Sequence, residues 1–123
     1  IGKSVAAHSD SHLFKMAASI SGKNDLVIGI SQTGETQEVI ESMKSAKARG
    51  ADTIVITNND NTEITKYADH ILVNGYNDVR SETGSFSERI SQLFIIELLY
   101  LGVLSKNKDK ALQLKDLTIK AVT

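Results

Sequence analysis

Apolar and polar positions along this chain alternate between two periods, the two-residue repeat of strands and the three-to-four-residue repeat of helices. Lys3 to His8 reads as a short strand, and Ser9-Asp10-Ser11 as a turn into a helix of about ten residues that ends near Ser21-Gly22-Lys23. The pattern repeats: a strand at 25–31, a helix at 36–49 stopped by Gly50, a strand at 52–57, a short helix from Thr62 to Ala68, and the strand Ile71-Leu72-Val73. Alternating strands and helices predict a parallel sheet covered by helices on both faces. Residues 74–84 are polar and glycine-bearing and read as a loop, after which 85–104 forms the longest helix and 107–121 a charged amphipathic one. In 85–104, Ile90, Phe94, Leu98, Leu101 and their neighbours leave almost no polar face, which points to a self-association surface and a homodimer.

The chemistry concentrates where the second strand ends. Leu26-Val27-Ile28-Gly29-Ile30 is a short apolar run, and Ser31-Gln32-Thr33-Gly34-Glu35-Thr36 opens directly into the helix carrying Val39, Ile40 and Met43. Ligands of open parallel sheets bind at such strand ends. The free N–H groups and positive dipole end of the helix converge there, and Gly34 lets the backbone come close to a ligand. Ser31, Gln32, Thr33 and Thr36 add neutral donors. The spacing Gly29-x4-Gly34-Glu35-Thr36 imitates a nucleotide-binding P-loop, but Glu35 stands where the phosphate-gripping lysine would be and would repel a triphosphate. Neutral donors without a cation suit one phosphate group, bound reversibly. The same residues also suit a plain capped connection, since Ser and Thr are common helix caps and Glu35 and Glu38 complement any helix start.

Composition narrows the classes. The chain has 123 residues, 41% of them hydrophobic, enough for one core and one domain over 1–123. A net charge of −1 with no block of Lys or Arg argues against direct DNA or RNA binding by this segment. Cysteine is absent, which excludes disulfides, thiolate nucleophiles and Cys-ligated zinc and fits the cytoplasm. The most apolar stretch is broken by Glu97 and Gly102, so no membrane association is expected. His8, His12 and His70 carry no zinc spacing and read as structural, and no metal or cofactor is implied. Arg80 reads as a surface ion-pair partner or a contact to a ligand's hydroxyls, and Asn58, Asn59 and Asp60 as turn formers. Beginning at Ile1 and on a strand, the chain is expected to be a piece of a longer protein.

Ile30-Ser31-Gln32-Thr33-Gly34-Glu35-Thr36, then Ala46-Lys47-Ala48-Arg49-Gly50-Ala51, Ile54-Val55-Ile56-Thr57-Asn58 and Tyr67-Ala68-Asp69, resembles the sugar isomerase (SIS) domain. That resemblance implies a three-layer, flavodoxin-like α/β fold with a parallel sheet flanked by helices, here lacking its first strand–helix unit. Asp10-Ser11-His12 and Ser85-Phe86-Ser87-Glu88-Arg89-Ile90-Ser91-Gln92-Leu93 further resemble the C-terminal domain of RpiR-type bacterial transcriptional regulators. In that family a helix-turn-helix domain binds DNA and the SIS domain senses a sugar phosphate. Carried over, Ser31, Gln32, Thr33 and Thr36, with the backbone at Gly34 and Glu35, would hold phosphate. His12, Arg80 and Glu88 are the candidate sugar contacts. The family's further serine, in a Gly-x-Gly-x-Ser turn, has no counterpart in this sequence. Enzymes of the superfamily place a glutamate base near the start of the long helix, and aligning Ile90-Ser91 puts Arg89 there, with Glu88 one position away. The expected function is therefore phosphosugar sensing, with DNA reached only through an N-terminal domain. A sugar-phosphate isomerase or lyase using Glu88 or Glu82 is the alternative.

Overall fold

The computed structural model describes residues 2–75 and 86–123, so the expectations placed on Arg80, Glu82 and most of the 74–84 loop lie outside the described residues. The chain divides into two compact units, Ala7–Gln92 and a second made of Ile1–Ala6 with Leu93–Thr123.

In the first unit α1 (Ser11–Ile20) leads to β1 (Leu26–Ile30), α2 (Gln37–Ala48) and β2 (Asp52–Thr57). A 3-10 helix (Glu63–Tyr67) and β3 (His70–Val73) follow, and the unit ends in the first turns of α3 (Phe86–Lys106). The strands form one parallel sheet in the order β1-β2-β3, with Ile28 opposite Ile54 and Ile54 opposite His70. This is the parallel α/β arrangement that the alternating pattern predicts. Crossover helices bring each strand back in the same direction, so every strand's C-terminal end meets the same edge of the sheet.

Ile40 and Met43 of α2 pack on Val55 and Ile64, with Val27, Val39 and Tyr67 around them. Gly29 makes that approach possible, because a Cβ there would stand 2.6 Å from the Met43 sulfur. Small residues set the second contact: Ala18 of α1, Ala46 of α2 and Ala51 form their own buried cluster, and Lys15 of α1 bonds Glu41 of α2 at 2.7 Å. Asp10 starts α1, its carboxylate accepting from the N–H groups of His12 and Leu13. On the opposite face of β1, Leu26, Ile28 and Ile30 remain exposed.

Two expectations are corrected. Residues 3–8 form no strand and are exposed, although their sequence alternates suitably. A strand needs a neighbour for its N–H and C=O groups, and among the described residues nothing pairs with this segment. The segment Thr62–Ala68 is helical only over Glu63–Tyr67 and winds as a 3-10 helix, a form suited to one short turn between strands.

In the second unit the remainder of α3 is followed by α4 (Lys108–Val122), whose Ala111 is buried. Gly2 lies against Leu114 of α4. No residue of α3 is buried, and Leu93, Phe94 and Leu101 are all largely exposed. Among the described residues no single helix is long and apolar enough to cross a membrane.

Candidate functional site

Ser31 continues the β1 ladder, its N–H donating to the carbonyl of Ile56 at 3.0 Å, so the turn begins at the C-terminal edge of the sheet. The chain then reverses tightly. Gly34 donates its N–H to both the carbonyl (3.2 Å) and the hydroxyl (3.1 Å) of Ser31, and its φ of +72° is one that residues with a side chain rarely adopt. A Cβ at Gly34 would overlap the side chain of Thr62, and the N–H of Ile64 donates to the Gly34 carbonyl at 3.3 Å. The loop after β2 thus packs directly on the turn.

Thr36 occupies the cap position of α2, yet its side chain makes no capping bond. Its hydroxyl instead lies 3.0 Å from that of Ser31. This departs from the plain-cap reading, because the hydroxyl that would quench a first-turn N–H is turned toward another hydroxyl. The N–H groups of Gln37 and Glu38, at the first two positions of α2, have no intrahelical acceptor, as helix geometry requires. The Thr33 hydroxyl accepts from the Glu35 N–H at 3.2 Å, which holds the tip of the turn. A buried Ser31, an exposed Thr33 and Thr36, and the positive end of α2 lie together at this turn, with Glu35 exposed among them.

Gln32 is anchored more firmly than its neighbours. Its carbonyl accepts from the Asn58 N–H at 3.0 Å, and its side-chain oxygen accepts from Asn74 Nδ2 (3.1 Å) and Gln92 Nε2 (2.6 Å). The Asn74 amide also reaches the backbone carbonyl of Glu88 at 3.5 Å. These contacts bring the end of β3 and the first turns of α3 to the 31–36 turn. Neither Asn74 nor Gln92 is legible as a site residue in the sequence, since one follows a strand and the other sits mid-helix.

The remaining candidates are distributed as follows. His12 is exposed in the first turn of α1, and among the described residues no hydrogen bond or ion pair joins it to the 31–36 turn. Glu88 reaches the neighbourhood through its backbone carbonyl. His8 and His70 are exposed, and among the described residues no group of acidic or histidine side chains could hold a metal ion. Asn59 is a turn former as expected, its side chain accepting from the Asn61 N–H at 2.9 Å.

An open groove of about 640 Å³ between α2 and the 3-10 helix is lined by Glu35, Gln37, Glu41, Lys44, Glu63 and Tyr67. Hydrogen bonds from Lys15 to Glu41 and from Lys66 to Glu63 hold both carboxyls below their ordinary range, so both are charged at neutral pH. Lys44, Lys15 and Lys66 stand against the three carboxylates of that groove, so its charges largely cancel.

Comparison with known proteins gives a consistent result. The family model described as SIS domain matches residues 1–102. A Haemophilus influenzae protein described as an uncharacterized HTH-type transcriptional regulator is 33% identical over 99% of this chain. The HTH-type transcriptional regulator RpiR of Escherichia coli K12 is 30% identical over 90% of it. The chain spans only 42% and 38% of the lengths of those relatives. Among solved structures, the Vibrio vulnificus NanR protein complexed with ManNAc-6P superposes with a TM-score of 0.82 at 25% identity, covering 98% of this chain and 47% of that one.

Proposed function

This chain belongs to the SIS domain family, and on that premise we propose that it binds a sugar phosphate as the effector-sensing domain of an RpiR-type transcriptional regulator of carbohydrate metabolism. The observation that carries the reading is the Ser31–Thr36 turn. Its paired hydroxyls stand at the C-terminal edge of a parallel sheet, beside first-turn N–H groups of α2 that lack acceptors. Support comes from relatives named as HTH-type regulators and from the likeness to NanR, a protein solved with ManNAc-6P.

Ser31, Gln32, Thr33 and Thr36, with the backbone at Gly34 and Glu35 shaping the turn, take the phosphate. His12, Arg80 and Glu88 are assigned to the sugar. DNA is contacted through a helix-turn-helix domain N-terminal to this segment, in the cytoplasm. The exposed apolar surface of α3 forms a homodimer contact within one SIS domain over 1–123. Sensing needs a grip and a relay, whereas isomerisation also needs a base; the residue aligned with the superfamily's glutamate is Arg89, which cannot accept a proton.

The test is calorimetry on the full-length protein with a panel of aldose and ketose phosphates, alongside DNA binding with and without each sugar. The double variant Ser31→Ala/Thr36→Ala is expected to weaken binding at least about tenfold, as loss of hydrogen bonds to a charged group does. Unchanged affinity would remove the turn from the site. Efficient sugar interconversion abolished by Glu88→Gln, with no sugar-dependent DNA binding, would replace the sensor by an isomerase.

A further inference from the structure

We infer that Asn74 and Gln92 are positioning residues that hold the Gln32 carboxamide with its oxygen turned inward, so that its NH2 end is what an anion at the 31–36 turn meets. The inference rests on the phosphate-binding reading of that turn. The two ends of a carboxamide have nearly the same shape and opposite hydrogen-bonding character, so the surrounding network decides which faces a ligand.

The network has a fixed point. The backbone carbonyl of Glu88 can only accept, and Asn74 therefore turns its NH2 toward it, at 3.5 Å. The same NH2 donates to the Gln32 side-chain oxygen at 3.1 Å, and Gln92 Nε2 donates to that oxygen at 2.6 Å. Two donors fill the two lone pairs of one amide oxygen. Rotating the Gln32 amide by half a turn would set its NH2 against two other NH2 groups.

This arrangement leaves the Asn74 side-chain oxygen buried and without a partner among the described residues, the residue being 5% exposed. Folded proteins avoid orphaned buried acceptors unless something else is gained. Here the gain is a polarised Gln32, a half-buried residue whose Nε2 has no hydrogen-bond partner among the described residues. With the oxygen outward, the same side chain would repel a phosphate.

Full-length protein, labelled with nitrogen-15, is titrated with inorganic phosphate while the Gln32 side-chain NH2 signals are followed. In the wild type these signals shift on binding. In Gln92→Glu the new carboxylate can only accept, and because a charged acceptor outweighs the neutral Asn74 donor it captures the Gln32 NH2 and turns the oxygen outward. Phosphate then binds at least about tenfold more weakly, as expected for losing a donor to a charged ligand. The Gln32 signals no longer respond even at saturation. Gln92→Leu leaves Asn74 in place and loses about fivefold, the share of one neutral hydrogen bond and less than Gln92→Glu loses. Melting temperatures are recorded for both variants.

Wild-type affinity in Gln92→Glu overturns the inference. So does a Gln32 signal that still shifts at saturation in that variant, the result expected of charge repulsion alone. Affinities that follow melting temperature, with Gln92→Leu falling as far as Gln92→Glu, also overturn it by reducing Gln92 to a packing role. If Ser31→Ala/Thr36→Ala leaves phosphate binding by the wild type unchanged, the reading of the turn fails and the inference fails with it. Binding that depends on Ser31 and Thr36 but not on Gln92 defeats the inference alone.

Discussion

Gly34 combines two constraints that no other residue type meets. Its φ of +72° lies in the left-handed region, and a Cβ would overlap Thr62 on the loop after β2. Gly34→Ala is therefore expected to destabilise by about 1–3 kcal/mol, from the strained backbone and the crowding together. Urea denaturation would measure it, and a variant as stable as the wild type would show that the turn is free to rearrange. Binding should fall with stability, because the Gly34 N–H anchors Ser31, whose hydroxyl faces Thr36. The turn residues Ser31 to Thr36 were legible from their order alone, since a hydroxyl-rich glycine turn between a strand and a helix is a local pattern. That the Thr36 hydroxyl meets Ser31 instead of capping α2 was not, because a cap and an open hydroxyl use the same residue at the same position.

Among the elements, β2 and β3 are fastened at their N-terminal ends by Asp69. Its carboxylate accepts from the Thr53 N–H at 2.9 Å and the Thr53 hydroxyl at 3.0 Å, and it pairs with Lys47 of α2. The Lys47 hydrogen bond first, then the Thr53 N–H and hydroxyl, lower the carboxyl from an ordinary 3.8 to about 2. A lowered folded pKa means that the unfolded chain binds the proton more readily. The stabilisation is whole above about pH 4 and is lost as pH falls toward 2. Asp69→Asn should flatten that part of the stability-against-pH curve while leaving most of the remaining acid response. An identical acid profile in the variant would assign the acid response to other carboxylates. Gly29 is the comparable device between β1 and α2: Gly29→Val would press on Met43 and cost about 1–3 kcal/mol by overpacking. Thermal melting would register it.

At the scale of the whole molecule the surface that matters most is α3. It runs 21 residues without one buried side chain, and Phe94 is 62% and Leu101 46% exposed. Exposed apolar surface of that extent is unfavourable in water, so the full-length protein is expected to be a dimer. Phe94→Glu with Leu101→Glu should convert it to monomer at micromolar concentration by light scattering. A dimer that survives both charges would place the contact elsewhere.

The sequence by itself determined the parallel α/β arrangement, the turn at the C-terminal end of β1 and the lengths of α3 and α4, because each depends on periodicity or on neighbours a few residues away. It also suggested a strand at 3–8, and there local pattern was insufficient: a strand exists only where another strand receives its hydrogen bonds. Only the tertiary structure decided how Gln32 is held. Its side-chain oxygen is gripped by Asn74 and Gln92, 42 and 60 residues further along the chain, and no spacing rule connects positions so far apart. They meet because parallel crossovers return the end of β3 to the edge where β1 ends, and α3 starts beside it. Which end of the Gln32 amide is held is thus settled by the sheet's topology, through residues that in sequence read as a loop and a helix interior.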